Sequence, residues 1–180
     1  MTLNFLKVVY IFLIISIIGC QPQPTLQTYF VDHQEIPSFI SMDIPISFLD
    51  ADKLQLTKNQ ENAINSIQKL NMLGYSLKSG SEEIYDKEVR TIKTLLKSSQ
   101  YNELMRMGNS KDGRIQISYV GDEEAVEELI IFGTSSEYGF AVIRVLGRKM
   151  NLSNIVELGP IINKLDTSDM NVEGFLDYML

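Results

Sequence analysis

After about residue 100 the hydrophobic period of this chain changes to two, and that pattern restricts the fold more than any other. Ile115, Ile117 and Tyr119 alternate with Arg114, Gln116 and Ser118. Successive side chains of a strand point to opposite faces of a sheet, so this spacing predicts a strand with one buried and one wet face. Tyr101 to Met107 reads as the strand before it. Leu129-Ile130-Ile131-Phe132 and Phe140 to Leu146 read as the two after it. Turn formers separate all four, at Gly108 to Gly113, Gly121-Asp122-Glu123-Glu124 and Gly133 to Gly139. Strands joined by such short turns pair antiparallel, so a meander is expected here.

Before residue 100 the period is mixed. Leu26, Tyr29, Phe30 and His33 fall on one face at helical spacing, with Thr25 as cap. Phe39 to Ile44 reads as a strand stopped by Pro45, and Ile46 to Leu49 as a short helical turn. Thr57-Lys58-Asn59-Gln60 is a capping-box pattern opening a helix with Ala63, Ile64 and Ile67 as its buried stripe. A strand over Leu70 to Leu77 follows. Ser79-Gly80-Ser81 then leads into the clearest helix, where Tyr85, Val89, Ile92 and Leu96 recur at spacings of four, three and four. A last helical segment begins near Asn151 or Ser153, and Pro160 breaks or kinks it. Phe175, Leu176, Tyr178 and Leu180 form an apolar tail expected to pack back on the domain. Strands grouped after helices predict an α+β domain, with one mostly antiparallel sheet and its helices packed on one face. Asp43 lies mid-strand, on the same face as Ser41 and opposite Ile40, Met42 and Ile44, which places it on a polar outer face.

The first twenty residues follow another logic. Lys7 precedes an uncharged run from Val8 to Gly19 that ends at Cys20. The run suits a secretory signal and is short for a membrane span, which needs roughly 20 apolar residues. Ile17-Ile18-Gly19-Cys20 resembles the bacterial lipobox. That resemblance implies cleavage between Gly19 and Cys20, a diacylglycerated Cys20 thiol and an acylated new amine, with palmitate-like chains. Gln21-Pro22-Gln23-Pro24 is then a short extended tether. The competing reading is an uncleaved anchor helix with an incidental Cys. The expected organisation is a signal peptide over 1–19, a lipidated Cys and tether over 20–24, and one domain over 25–180. With no Asp after Cys20, lipoprotein sorting patterns point to the outer membrane, with the domain facing the periplasm.

Removing the first 19 of the 180 residues leaves 161, enough for one proper core. Lys7 is the only charge removed, so the formal net charge of −7 becomes −8. Such a domain repels phosphate backbones, so nucleic acid is not an expected partner. The chain has one Cys and one His, too few for a Cys/His metal site or an internal disulfide. His33 reads as a polar position ending the first helix. No Gly-x-Ser-x-Gly elbow or phosphate-cradling glycine loop is present. The dense acidic run is Asp122, Glu123, Glu124, Glu127 and Glu128, which lacks calcium-loop spacing and reads as a solvated turn and strand start. No catalytic residue, metal or cofactor is therefore assigned.

Several stretches together resemble a known family. They are Phe39-Ile40-Ser41-Met42-Asp43-Ile44-Pro45, Tyr101-Asn102-Glu103-Leu104-Met105-Arg106 and Tyr119-Val120-Gly121-Asp122, followed by Ile131-Phe132-Gly133 and Gly139 to Gly147. In this order they resemble the DUF4252 family of small bacterial proteins described as lipoproteins. The resemblance spans nearly all of the mature chain, with Pro160 and the tail after Leu165 departing from it. It implies no activity and agrees with the anchor. Two function classes are carried forward. One is a non-enzymatic, lipid-anchored module that binds an envelope protein or ligand, with envelope stress signalling as one form of it. The other is a periplasmic hydrolase using carboxylates or a metal, which needs at least two acids converging in a cleft.

Overall fold

A computed structural model gives the fold, and the description covers residues 24–44, 46, 55–109 and 113–162. The signal segment, Gly19, Cys20, most of the tether, the turn at 47–49 and the apolar tail lie outside the described residues. The elements in order are α1 (Leu26–His33), β1 (Phe39–Ile44), α2 (Lys58–Ser66), β2 (Ile67–Ser76), α3 (Glu82–Leu95), β3 (Asn102–Asn109), β4 (Gly113–Asp122), β5 (Ala125–Ser135), β6 (Gly139–Met150), α4 (Leu152–Val156) and α5 (Gly159–Ile162). The six strands form one open antiparallel sheet in the order β1-β2-β6-β5-β4-β3. This is the expected α+β fold with the expected meander, and β6 brings it back beside β2.

The helix starts are written locally. Thr25, Thr57, Ser81 and Asn151 each accept a hydrogen bond from a first-turn backbone N–H. At Thr25 and Thr57 the reciprocal bond to the cap's own N–H completes a capping box. Three starts are also tied to tertiary partners. Tyr75 is fully buried, and its hydroxyl accepts from Ser81 N–H at 2.6 Å and donates to Ser81 C=O at 3.0 Å. The Tyr101 hydroxyl accepts from Leu26 N–H at 3.1 Å. Leu152 N–H donates to Glu123 C=O at 2.8 Å, which seats α4 on the β4–β5 turn.

The register lines up one row of side chains across all six strands: Met42, Met72, Ile143, Ile131, Ile117 and Met105. This is the aliphatic face. On the other face Phe39, Tyr75 and Phe140 are aligned and Phe132 packs edge-on against Phe140. This is the aromatic face. Leu26, Tyr29 and Phe30 of α1 pack on the aromatic face together with Val89, Ile92 and Leu95 of α3. Ala63 and Ile64 of α2 and Leu152 of α4 pack on the aliphatic face against Leu129 and Val145. Leu73 and Ile92 are fully buried, and each such side chain contributes about 2 kcal/mol of transfer free energy.

The helices therefore divide between both faces, where the sequence led us to expect one. The cause is the apolar content of both parities. Leu70 and Met72 alternate with Leu73 and Tyr75 along β2, so neither face can be left to water. The same double cover changes β4. Ser118 is buried and Ile115 is exposed, the reverse of the alternation. The sheet centre is covered on both sides there, while Ile115, near the start of β4, lies beyond α2 and α4 on the aliphatic face. Ile67 belongs to β2, because α2 ends at Ser66, yet it stays buried beside Ala63 and Ile64. Pro160 stands in the first turn of α5, where its missing N–H costs nothing. Among the described residues no helix is long and apolar enough to cross a membrane.

Candidate functional site

Among the described residues the aliphatic face is only partly covered. Between α2, α4, the start of α5 and the strands lies a groove of about 510 Å³. Its floor is Leu70, Val145, Leu129, Ile131 and Ile117, its helical wall includes Ile64 and Ile155, and its open side is Leu104 and Met105 of β3. Among the described residues every side chain lining it is apolar. Outside the groove the apolar surface continues. Met107 and Ile115 on the same face are 46% and 40% exposed, and Val156 of α4, on the groove's own wall, is 59% exposed. Ligand sites in proteins are commonly concave, largely apolar and about 300–1,000 Å³. Burying this surface against an apolar partner is favourable at roughly 25 cal/mol per Å².

β3 makes the groove accessible. Among the described residues it is an edge strand, paired only to β4, and all eight of its residues are exposed. Its register shifts between Glu103 and Met105, so Leu104 occupies an irregularity in the ladder. Such a break blunts indiscriminate edge pairing while re-aiming a side chain.

The acidic run does not converge on a site. Asp122, Glu123, Glu124 and Glu127 are exposed at the β4–β5 turn and the start of β5. Glu128 turns inward to the aromatic face, where Arg144 Nε and Nη2 reach its two oxygens at 2.6 and 3.2 Å. The Arg144 guanidinium also lies 5.2 Å from the Phe30 ring, so the pair helps seat α1. Among the described residues no three His, Cys, Asp or Glu side chains are grouped to hold a metal. Asp43 sits at the exposed surface beside Lys69 at 3.2 Å and accepts a hydrogen bond from Asn71.

His33 has a larger role than helix-ending polarity. Its Nε2 lies 3.3 Å from Glu88 Oε2, and the Tyr29 hydroxyl donates to the same oxygen at 3.0 Å. His33 Nδ1 lies 2.7 Å from the Tyr29 carbonyl. A carbonyl only accepts, so Nδ1 carries a proton. The imidazole stacks on Tyr29 at 4.0 Å and meets Phe39 at 4.9 Å. Burial, then the negative charge of Glu88 and its hydrogen bond, push the Tyr29 phenol far above its ordinary value. These groups satisfy one another and fasten α1 to α3. Glu88 is buried because it falls on the apolar stripe of α3, three residues after Tyr85 and four before Ile92. That spacing is the signal by which the sequence could have identified it. The groove had a weaker signal, the apolar Met105, Met107, Ile115 and Ile117 set on one parity of two neighbouring strands.

A family model described as "Domain of unknown function (DUF4252)" matches residues 32–158. The matched span includes all six strands. No curated protein and no solved structure matches the chain.

Proposed function

The chain belongs to the DUF4252 family, and on that premise we propose that it is a non-enzymatic binding module, held at the bacterial envelope by lipid on Cys20, whose groove takes an apolar segment of a partner protein. The observation that carries this reading is the groove itself: about 510 Å³, lined by apolar side chains, beside a strand edge that no other described strand pairs. A peptide laid along β3 would gain main-chain hydrogen bonds from the edge and place alternate apolar side chains over Met105 and the groove floor. The lipobox-like Ile17-Ile18-Gly19-Cys20 and the proline tether support the anchor. With two or more acyl chains such an anchor is stable, and the domain needs no further membrane contact. An outer-membrane position facing the periplasm, and a role in envelope stress signalling, are the finer parts of this proposal. The hydrolase alternative gains nothing from the acidic run, because Glu128 is held by Arg144 and the other four acids are exposed.

The test is site-specific photo-crosslinking from position 105 of the full chain in native membranes. The expected result is one dominant adduct that maps to an apolar segment of a single envelope protein and disappears with Ile117→Asp. Position 137, on the far β5–β6 turn, should give no such adduct. Chain continuing from the groove's rim is the internal competitor. Adducts confined to residues 163–180 of the same chain would refute partner binding, as would equal labelling from positions 105 and 137.

A further inference from the structure

The opposite face of the same hairpin gathers positive charge. Arg106 pairs with Gln116 across β3 and β4, and Arg114 lies one alternate position along, so both guanidiniums stand on the aromatic face. The C-terminal half of α3 passes over this end of the sheet and brings Lys93, with Lys97 just past the helix end, to the same place. The four cations line a cavity of about 360 Å³ with Leu96 and Phe132 at its base. A smaller cavity of about 140 Å³ adjoins it and shares Lys93, Arg114 and Thr134. The one carboxylate of the larger lining, Glu103, is engaged by Arg106 at 2.5 Å. Gln116 accepts from Arg106 at 3.3 Å and donates to Ser118. Among the described residues no further lining carboxylate faces Lys93, Lys97 or Arg114.

This is unusual in a chain with 23 acidic and 16 basic side chains. Four of those bases share one recess with a single carboxylate, Glu103, among the described residues. The crowding has a cost that the structure registers. Desolvation, then repulsion from Arg114 and Arg106, lowers the Lys93 ammonium from its ordinary range, and Asp86 only partly offsets this. An anion in the recess would attract each of these cations and so offset their mutual repulsion. Paired guanidiniums favour oxyanions specifically, because their planar forks give bidentate hydrogen bonds. Thr134 and Tyr101 add hydroxyls to the wall, and the apolar base suits a small organic substituent.

We infer that this cavity binds a small organic oxyanion of the phosphate-monoester class, with Arg106 and Arg114 gripping the phosphoryl oxygens, Lys93 and Lys97 balancing its charge, and Leu96 and Phe132 under its organic part. The site is on the face opposite the groove and does not depend on what the groove holds. A free monoester and a phosphatidate headgroup offer the same chemistry.

Isothermal titration of the detergent-solubilised full chain separates these sources, with glycerol 3-phosphate as one probe and short-chain phosphatidic acid as the other. Saturable one-site binding of at least one probe is expected, weakened tenfold or more by Lys93→Gln with Arg114→Gln. Binding of glycerol 3-phosphate identifies a soluble ligand, and binding of the phosphatidic acid alone identifies a headgroup. Both substituted side chains are exposed, so the thermal midpoint of the variant should stay within a few degrees. Amide shifts at Gly113 and Thr134 on titration give a second readout if it does not. Absence of saturable binding for both probes overturns the inference. So does binding that the double substitution leaves unchanged, or titration shifts that spare Gly113 and Thr134.

Discussion

Replacing Glu128 alone by Leu is expected to harm the fold more than replacing Glu128 and Arg144 together by Leu and Met. The Arg144 side chain is 7% exposed and that of Glu128 14%, so each charge has little water of its own. Their two hydrogen bonds, at 2.6 and 3.2 Å, are what compensates the desolvation. Removing one partner of a buried pair strands the other and costs about 3–5 kcal/mol. Replacing both by apolar side chains of similar size is commonly close to neutral. The guanidinium contact with Phe30 adds about 1 kcal/mol that the double replacement gives up, partly regained by packing of the Met side chain. We therefore expect Glu128→Leu to lose about 3 kcal/mol and the double variant about 1 kcal/mol. The single loss is a large share of the 5–15 kcal/mol that holds a domain of this kind. It corresponds to roughly a 10 °C drop in thermal midpoint. Urea titrations of wild type, both single variants and the double variant form a mutant cycle that reads the coupling directly. A loss below about 1 kcal/mol for Glu128→Leu, or simple additivity of the two changes, would refute this account and return Glu128 to the solvated acidic run.

Three further expectations follow from named contacts. The Tyr29 phenol is raised above its ordinary value near 10, so the unfolded chain releases that proton first as pH rises; stability is complete below pH 10 and falls above it, by about 1.4 kcal/mol per pH unit for one proton. Tyr29→Phe should make the decline of the urea midpoint between pH 10 and 11 shallower than in wild type, and an unchanged decline would contradict the assignment; Tyr85, also raised by burial, titrates in both proteins. Gly139 has φ of +125°, and an added Cβ would stand 1.9 Å from Tyr75 C=O, so Gly139→Ala should lose at least about 2 kcal/mol in chemical denaturation. Thr57→Ala should cost about 1 kcal/mol of stability by removing a capping box, with Thr57→Ser restoring most of it.

What the sequence by itself determined is what neighbours along the chain decide. The caps at Thr25, Thr57 and Ser81 act within one turn, and β1 begins and ends where its alternation does, at Phe39 and Ile44. The α+β class and the meander follow from the same short-range periods. The family stretches were legible because they run through those strands. The tertiary structure alone decided which face each helix covers, because packing depends on area that only the assembled sheet presents. Glu88 falls on the apolar stripe of α3, but the partners that make its burial tolerable, Tyr29 and His33, are delivered by α1 from 59 and 55 residues earlier. Glu128 reads as part of an acidic run until the β5–β6 register sets Arg144 beside it. The apolar groove and the cationic cavity share this origin. Met105 and Arg106 are consecutive in sequence, but the pleat of an edge strand sends one to each face, and only the helices beyond that edge make one face a groove and the other a pocket.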